Sequence, residues 1–317
     1  MTNAELRQRV EQILLRVQMP GQYVGGERNQ VVKDPATVEA RVCLAFPDTY
    51  SLGMSHHGLQ VLYSLMNADA RWACERAFCP APDFEKELRH AGLPLYSLET
   101  FTPLDEFDIV GFSLQYEVCY TNIFTILDLG RIPIYAKDRT DEHPLVIAGG
   151  PGAQNPEPLA PFVDLFVIGD GEETLQEITE RWSRLKRESG ISREERIARL
   201  VSGLTYAYAP RFYEPEYLED GRLAAIHRTR PDVPAEIKAA TIQADFDSIP
   251  IPTKPVMPYV ECVHDRIAIE IMRGCPWQCR FCQSTVIKRP LRFRSVDTIL
   301  AAAREAYKQT GYDEISV

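Results

Sequence analysis

Residues 267–283 read IAIEIMRGCPWQCRFCQ, and the prediction of the fold begins from this stretch. Its first part, 267–272, alternates apolar side chains in the way that is typical of a β-strand. The following segment, 273–283, carries three cysteines in a C-x3-C-x2-C spacing, with Gly274 and Pro276 at its start. Glycine and proline favour a tight loop. The sequence therefore predicts three thiols on a loop at the end of a strand.

The three thiols belong to Cys275, Cys279 and Cys282, a spacing typical of metal ligands. Structural zinc usually takes four protein ligands from two separated pairs, and no second pair follows here. Three thiolates on one short loop suit an iron–sulfur cluster, and a four-iron cluster held by three cysteines leaves one iron for an outside ligand. The alternatives are a zinc site completed by His264 or another residue, and cysteines that only pack.

The C-x3-C-x-aromatic-C pattern, with Phe281 as its aromatic residue, resembles the cluster loop of the radical S-adenosylmethionine (radical SAM) enzymes. The resemblance implies a 4Fe-4S cluster on the three cysteines, with S-adenosylmethionine chelated by the fourth iron. It also implies that one electron cleaves S-adenosylmethionine to methionine and a 5′-deoxyadenosyl radical, which abstracts hydrogen from a substrate. Phe281 would flank the adenine. A reductant such as flavodoxin or ferredoxin would supply the electron.

The composition is that of an ordinary globular protein of roughly two domains: 317 residues, 45% hydrophobic and 25% charged. The sequence has neither a signal-peptide core at its start nor an apolar run long enough for a membrane helix, so we expect a cytoplasmic protein. The net charge of −10 argues against a general nucleic-acid surface. The basic segment 288–294 is a local exception that suits a phosphate or a carboxylate, although a solvated linker is the favoured interpretation. This segment and the superfamily relatives are what suggest RNA modification.

Upstream of the cysteines, short apolar runs alternate with helix-like segments. The runs are 42–46, 109–114, 145–148 and 165–168, and the helix-like segments are 59–66, 122–127 and 172–185. This alternation predicts an α/β fold with a doubly wound parallel sheet, covered on both faces, over about residues 40–186. Glu172 and Glu173 fall in the first turn of a predicted helix, where the helix dipole stabilises acidic side chains. A structural role is therefore favoured for both.

The ligands of such sheets bind outside the carboxyl ends of the strands. The informative loops are 47–58, 113–116, 149–155 and 169–174. Ser113, Gly149, Gly150 and Gly169 in these loops resemble the cobalamin-binding (B12-binding) domain that precedes the core of many radical SAM proteins. The resemblance implies that these residues line a cofactor cleft.

One departure from that resemblance bears on cobalamin. Domains that ligate cobalt from below use a D-x-H-x-x-G loop after the first strand. The corresponding loop here contains Asp48, His56 and His57, but at a different spacing. Cobalamin binding and a cobalamin-like fold with an empty or repurposed cleft therefore both remain as alternatives.

The remaining segments complete the predicted organisation. An amphipathic helix ended by Pro20 and Gly21 opens a lead-in over residues 1–39. Residues 187–264 contain a charged helix at 193–201, a hairpin turn at Asp220-Gly221 and a proline-rich linker. After the cysteine loop, Ser295 caps a helix that ends at Gly311 and leads to a second strand. Residues 265–317 thus read as the start of a partial (β/α) barrel, with one strand–helix–strand unit.

These patterns together resemble an uncharacterised family of radical SAM proteins with an N-terminal B12-binding-like domain, over essentially the whole chain. We expect the chain to be the N-terminal portion of a longer enzyme and to be inactive or poorly soluble alone. Its substrate is undetermined. The alternatives are an RNA-modifying radical SAM enzyme and a non-catalytic zinc or scaffold module.

Overall fold

The computed structural model describes residues 1–242 and 245–317. A six-stranded sheet forms its larger part. The strands are β1 (Ala40–Phe46), β2 (Trp72–Phe78), β3 (Ile109–Ser113), β4 (Leu145–Gly149), β5 (Leu165–Val167) and β6 (Ala207–Tyr208). They lie in the order β2-β1-β3-β4-β5-β6, and every neighbouring pair is parallel except β5 and β6. This arrangement confirms the predicted α/β class with a Rossmann-like, doubly wound sheet.

The helices of this part alternate with the strands. They are α1 (Asn3–Leu14), α2 (Tyr50–Met54), α3 (His57–Ala68), α4 (Pro82–Ala91), α5 (Tyr120–Leu129), α6 (Glu172–Lys186) and α7 (Arg193–Val201). α1 starts with a capping box in which Thr2 and Glu5 satisfy each other's backbone N–H groups. Its buried face is Leu6, Val10, Ile13 and Leu14, as its periodicity predicts. α1 ends at Leu14, earlier than the proline and glycine that were expected to end it.

Strand β2 was not predicted from the sequence. This strand lies at one edge of the sheet and pairs in parallel with β1 along its whole length, from Trp72 beside Ala40 to Phe78 beside Phe46. All of its residues are buried, including Glu75 and Arg76. Two charged residues in the middle of a run hide the apolar pattern on which the prediction of strands depends.

The chain continues into the sheet beyond residue 186. Helix α7 has the predicted bounds and buries Ile197, Ala198, Leu200 and Val201. β6 then joins the sheet beside β5. A hairpin of β7 (Tyr213–Tyr217) and β8 (Leu223–Arg228) follows, with its turn at the predicted Asp220-Gly221. The positions of the domain boundaries stay predictions from the sequence.

The cysteine-bearing part contains β9 (Ile267–Ala268), β10 (Met272–Arg273), α8 (Ser284–Ile287), β11 (Arg292–Phe293), α9 (Val296–Thr310) and β12 (Ile315–Ser316). β9 and β12 pair in parallel with α9 between them, which is the expected strand–helix–strand unit. Ser295 caps α9, and Gly311 ends it in the left-handed conformation. Ile267, Ile269 and Ala306 form the centre of a second, small core. Tyr307, on the same helix, is 59% exposed.

The prediction of one strand over 267–272 was wrong. The run changes partner in its middle: β9 pairs with β12, and the Ile269 N–H also bonds to the carbonyl of Ser316. β10 pairs instead with β11 in an antiparallel ladder. Two short ladders with different partners replace the single strand, and the cysteine loop begins directly after β10.

Within the residues that the structure describes, none of the helices is both long enough and apolar enough to cross a membrane.

Candidate functional site

A cavity of about 470 Å³ lies at the carboxyl ends of β1, β3, β4 and β5. Its volume is in the range of small-molecule sites. Ser113, Gly149, Gly150 and Gly169, which come from three separate loops, all line it. The structure therefore brings together the four residues that the sequence assigned to a cofactor cleft. Their role in binding stays a prediction.

The cavity lies where the strand order reverses. β1 has β2 on one side and β3 on the other, and in doubly wound sheets the loops that follow such neighbouring strands separate and leave a crevice. Leu44 of β1, Phe112 of β3 and Ile147 of β4 supply an apolar floor. The location and the floor suit a ligand with a sizeable apolar surface and a few polar contacts.

His56 lies in this crevice as the N-cap residue of α3. Its Nδ1 accepts a hydrogen bond of 3.1 Å from the Leu59 N–H. The ring also hydrogen-bonds Gln115, whose Nε2 donates to Ser113 Oγ across 2.8 Å. Burial lowers the pKa of His56 to about 4, so the ring is neutral at pH 7. With its Nδ1 lone pair already used and its ring bonded to Gln115, His56 is poorly placed to ligate a metal.

Gly150 is required by the backbone at this edge. Its φ is +94°, a conformation that residues with a Cβ rarely adopt. A Cβ built there would lie 2.7 Å from the Leu114 carbonyl oxygen. At Gly149 the nearest atom to an added Cβ is the Val167 carbonyl oxygen at 3.7 Å, an ordinary contact. The two neighbouring glycines thus differ: Gly150 is needed for the turn, and Gly149 leaves space in the cavity.

The opposite wall of the cavity comes from the cysteine-bearing part. Glu270, Met272, Arg273, Gly274, Ser284 and Lys288 line that wall. The cavity is therefore enclosed between the edge of the sheet and the segment that carries the metal-ligand motif.

Arg273 connects the two walls. Its guanidinium lies 3.1 Å from Asp170 Oδ1 and 2.8 Å from Glu270 Oε1, and it also hydrogen-bonds Glu172. Burial alone would lower the pKa of Arg273, but the hydrogen bonds to Glu270 and Glu172 raise it above its ordinary value. Glu172 does lie in the first turn of α6, as predicted, and its pairing with Arg273 is an additional contact that the sequence did not indicate.

The basic segment 288–294 contributes mainly to internal contacts. Arg292 Nη1 donates to Asp170 Oδ2 at 2.6 Å, and Arg294 Nη1 donates to the carbonyls of Phe246 and Ile249. Arg294 is 7% exposed. The hypothesis of an RNA substrate gains no support from these arginines, because they bond to the protein itself.

The cysteine loop is closed at its base by the β10–β11 pair, in which Arg273 lies opposite Arg292. A Cβ at Gly274, where φ is +104°, would lie 2.7 Å from the Lys288 carbonyl oxygen, so only glycine permits this close return of the chain. Further along the loop, the Cys282 N–H bonds to the Cys279 carbonyl, and Thr285 Oγ1 donates to the Cys282 carbonyl at 2.8 Å. The loop is thus a compact backbone unit.

The thiols are accessible for ligation. Cys275 and Cys282 are half-buried and Cys279 is exposed, and all three are free. As donors, three thiols on a closed loop fit an iron–sulfur cluster. Among the described residues, however, no three His, Cys, Asp or Glu side chains are gathered in a metal-binding arrangement, with or without His264. The ligand set therefore stays a prediction. Phe281 is 92% exposed and is not part of the cavity wall.

The cavity lies at the switch point of the α/β sheet, and the three-cysteine loop adjoins it. Residues 58–210 match the family model described as "Radical SAM proteins, N-terminal". This match covers a little under half of the chain, so the chain is similar to radical SAM proteins in this N-terminal region.

Two curated proteins are similar to the chain. The uncharacterized protein MJ0966 of Methanocaldococcus jannaschii is 27% identical over 236 residues, which are 72% of this chain and 42% of that protein. The uncharacterized methyltransferase PH0819 of Pyrococcus horikoshii is 24% identical over 216 residues, 66% of this chain and 38% of that protein. The chain thus spans less than half the length of either relative.

Two solved structures are also similar. Both are of the cobalamin-dependent S-adenosylmethionine radical enzyme OxsB with aqua-cobalamin bound, and one also holds S-adenosylmethionine. The TM-scores are 0.48 and 0.49, and the sequence identity is 16% for each. The matches cover 85% and 86% of this chain and 32% and 33% of those chains.

Proposed function

We propose that the protein is a radical SAM enzyme whose 4Fe-4S cluster is held by Cys275, Cys279 and Cys282. When bound, the cluster supplies the electron that cleaves S-adenosylmethionine to a 5′-deoxyadenosyl radical. The observation that carries the proposal is the position of the three-cysteine loop, which begins at the wall of a cavity on the carboxyl edge of a doubly wound sheet. A radical made at the loop would form beside a ready ligand site.

The residues of the chain would position and shield the reactants. Phe281, at 92% exposure, has a free ring face on which the adenine of S-adenosylmethionine can stack. The β10–β11 pair and Gly274 close the base of the loop that carries the three thiols.

The cavity is the proposed cobalamin site, with Ser113, Gly149, Gly150 and Gly169 on its sheet side. Glycines allow the backbone to approach a large flat ligand closely, and the floor is apolar. Since the Nδ1 of His56 already accepts a hydrogen bond from the Leu59 N–H, we propose that any cobalamin here is held without His56 as a metal ligand. The name of the similar PH0819 protein supports methyl transfer as the reaction class.

The electron would come from a small reductant such as flavodoxin or ferredoxin. We also place the protein in the cytoplasm, where a reducing environment would keep its cysteines as thiols. All eight cysteines are free in the structure, which suits that compartment.

Anaerobic reconstitution of the full-length protein with iron and sulfide tests the cluster. We expect about four irons and four sulfides per chain, an absorption band in the visible range, and 5′-deoxyadenosine formed from S-adenosylmethionine after reduction. The Cys275→Ser, Cys279→Ser and Cys282→Ser variants should each lose the iron and the product.

Cys262→Ser is the matched control, because Cys262 packs in the main core and its thiol bonds to the Val260 carbonyl. It should keep both iron and product. Stoichiometric zinc in the purified protein would instead support the zinc or scaffold alternative. Iron that persists in all three serine variants would overturn the assignment of the cluster to these cysteines.

A further inference from the structure

Glu172, in the first turn of α6, bonds to one end of the cysteine loop, at Arg273, but a second carboxylate, that of Asp170, bonds to both ends. This residue follows Gly169 at the carboxyl edge of the sheet, between β5 and α6, and lines the cavity. Its side chain is 14% exposed. An acidic side chain that is this buried needs partners for its charge, and those partners come from three different segments.

The first segment is the connector before the cysteine-bearing part. The Asp170 N–H donates to the Ala240 carbonyl at 3.0 Å, and Asp170 Oδ2 accepts from the Ile242 N–H at 3.0 Å. The backbone of Gly169 also forms a parallel bridge with Ala240. The backbone around Asp170 is therefore fixed before its side chain reaches any arginine.

The other two segments are the two stems of the cysteine loop. Arg273, at the end of β10, donates to Asp170 Oδ1 at 3.1 Å. Arg292, at the start of β11, donates to Asp170 Oδ2 at 2.6 Å. Because Arg273 and Arg292 lie opposite each other in the β10–β11 pair, one carboxylate bonds to both ends of the loop.

The ring of Phe246 supports the same two arginines. The guanidinium carbons of Arg273 and Arg292 lie 5.2 Å and 5.5 Å from its centroid, and that of Arg294 lies at 4.4 Å. Stacking on an aromatic ring favours a fixed orientation of the guanidinium plane. The arginines are thus held between a carboxylate and a ring.

Electrostatics favour the ionised carboxylate. Burial alone would raise the pKa of Asp170, but the hydrogen bonds from Arg292 and from the Ile242 N–H, together with the charge of Arg273, hold that pKa below its ordinary value. The bonds are charge-assisted, which makes them stronger than bonds between neutral groups.

We propose that Asp170 is a positioning residue that holds both stems of the cysteine loop against the edge of the sheet, and so sets where the three thiols lie relative to the cavity. The consequence of this positioning for catalysis rests on the proposed function. The contact itself is a property of the chain, and it can be tested without any cofactor.

The first test is hydrogen exchange of the full-length protein without reconstitution. In Asp170→Asn, the backbone amides of residues 272–293 should exchange about tenfold faster, since the amide removes the charge that both arginines share. Arg292→Gln should give a smaller increase, because Arg273 keeps its bond to Asp170. Asp170→Glu should restore part of the protection.

The control is Asp220→Asn, at the tip of the β7–β8 hairpin, where Asp220 pairs with Arg222 in an exposed position. Its exchange in residues 272–293 should equal that of the wild type. Equal exchange in Asp170→Asn, Arg292→Gln and the wild type would overturn the proposal.

The second test follows reconstitution and separates positioning from folding. Asp170→Asn should keep its iron content, because none of the thiols is changed, and its apparent Kd for S-adenosylmethionine should rise about tenfold. Asp170→Glu should recover affinity. An unchanged Kd would overturn the catalytic part of the proposal, and a wild-type protein that fails to bind iron would overturn the proposed function while the exchange result still stands.

Discussion

Arg76, in the middle of β2, donates from Nε to Glu99 Oε1 across 2.6 Å, and the two side chains are 1% and 0% exposed. Glu27 lies on the other side of the guanidinium, with Oε2 at 3.1 Å from Nη2. Burial alone would lower the pKa of Arg76, but the charges of Glu99 and Glu27 raise it above its ordinary value. The arginine therefore stays charged inside the core, and it depends on both carboxylates.

Removing one of those carboxylates should be costly. We expect Glu99→Gln to lower the free energy of unfolding of the full-length protein by about 3 kcal/mol, because a buried charge loses one of its two partners. Urea denaturation followed by circular dichroism measures this change. Glu85→Gln is the control, since Glu85 pairs with Arg89 on the surface of α4, where such pairs contribute about 0.5 kcal/mol or less. Similar losses in the two variants would contradict the prediction.

The buried pair of Arg76 and Glu99 also explains why β2 was not predicted from the sequence. The runs that became β1, β3, β4 and β5 are apolar almost throughout, so the strands were predicted from their composition. In β2, Glu75 and Arg76 interrupt the run, and their partners lie elsewhere in the chain. Glu75 accepts from Ser97 and Thr100, and Arg76 donates to Glu99. A strand whose charges are satisfied by distant residues has no local signal.

In the candidate site, too, the local patterns could be predicted from the sequence and the long-range contact could not. The cysteine motif and the glycines of the cleft are local patterns, and the sequence identified them directly. The closeness of the loop to the cleft depends on Asp170 and Arg273, which are 103 positions apart. A single sequence carries no record of a contact at that separation, so the sequence predicted the two parts of the site but not their junction.

Asp164, immediately before β5, should also be essential for stability. Its Oδ2 lies 3.0 Å from Arg139 and 2.9 Å from Arg193, and its Oδ1 lies 2.6 Å from Arg211. Asp164→Asn leaves three largely buried arginines around a neutral amide, and we expect a loss of about 4 kcal/mol. Asp105 pairs with the exposed Arg131, so Asp105→Asn should change the free energy of unfolding by less than about 0.5 kcal/mol. The midpoints of urea denaturation of the two variants and of the wild type measure both changes in stability.

His56 should make stability depend on pH. Its pKa is about 4 in the folded protein and about 6.5 when unfolded. Between these values the unfolded chain binds the proton and the folded chain does not, so stability falls as the pH decreases from 6.5 toward 4. The full loss would be about 3 kcal/mol. Burial is the largest cause of the lowered pKa of His56. A hydrogen bond with Gln115 raises this pKa, and the charges of His57 and Lys288 lower it.

The pH dependence is measured from urea unfolding at a series of pH values. His56→Gln should flatten the curve between pH 4 and 6.5, although burial also lowers the pKa of His57 and leaves some slope. His90→Gln, on the exposed surface at the end of α4, is the control for replacing a histidine elsewhere in the protein. An identical slope in His56→Gln and the wild type would refute the assignment.

Substitutions at Gly149 and Gly150 should distinguish an effect on folding from an effect on ligand binding. Gly150→Ala should destabilise the protein by about 2 kcal/mol, because alanine is strained at a φ of +94° and its methyl group lies too close to the Leu114 carbonyl. Gly149→Ala should leave stability within about 0.5 kcal/mol of the wild type, since its Cβ meets only an ordinary contact. Thermal unfolding of the full-length variants measures both values.

The corresponding ligand test uses added cobalamin, followed by its visible spectrum in the protein after gel filtration. If cobalamin occupies the cavity, retention should fall in the order wild type, Gly149→Ala, Gly149→Val, because each added methyl group takes space that no protein atom fills. Gly203→Ala, which does not line the cavity, is a control for the strain of replacing a glycine at a positive φ. Equal retention in the wild type and Gly149→Val would mean that cobalamin does not bind in this cavity.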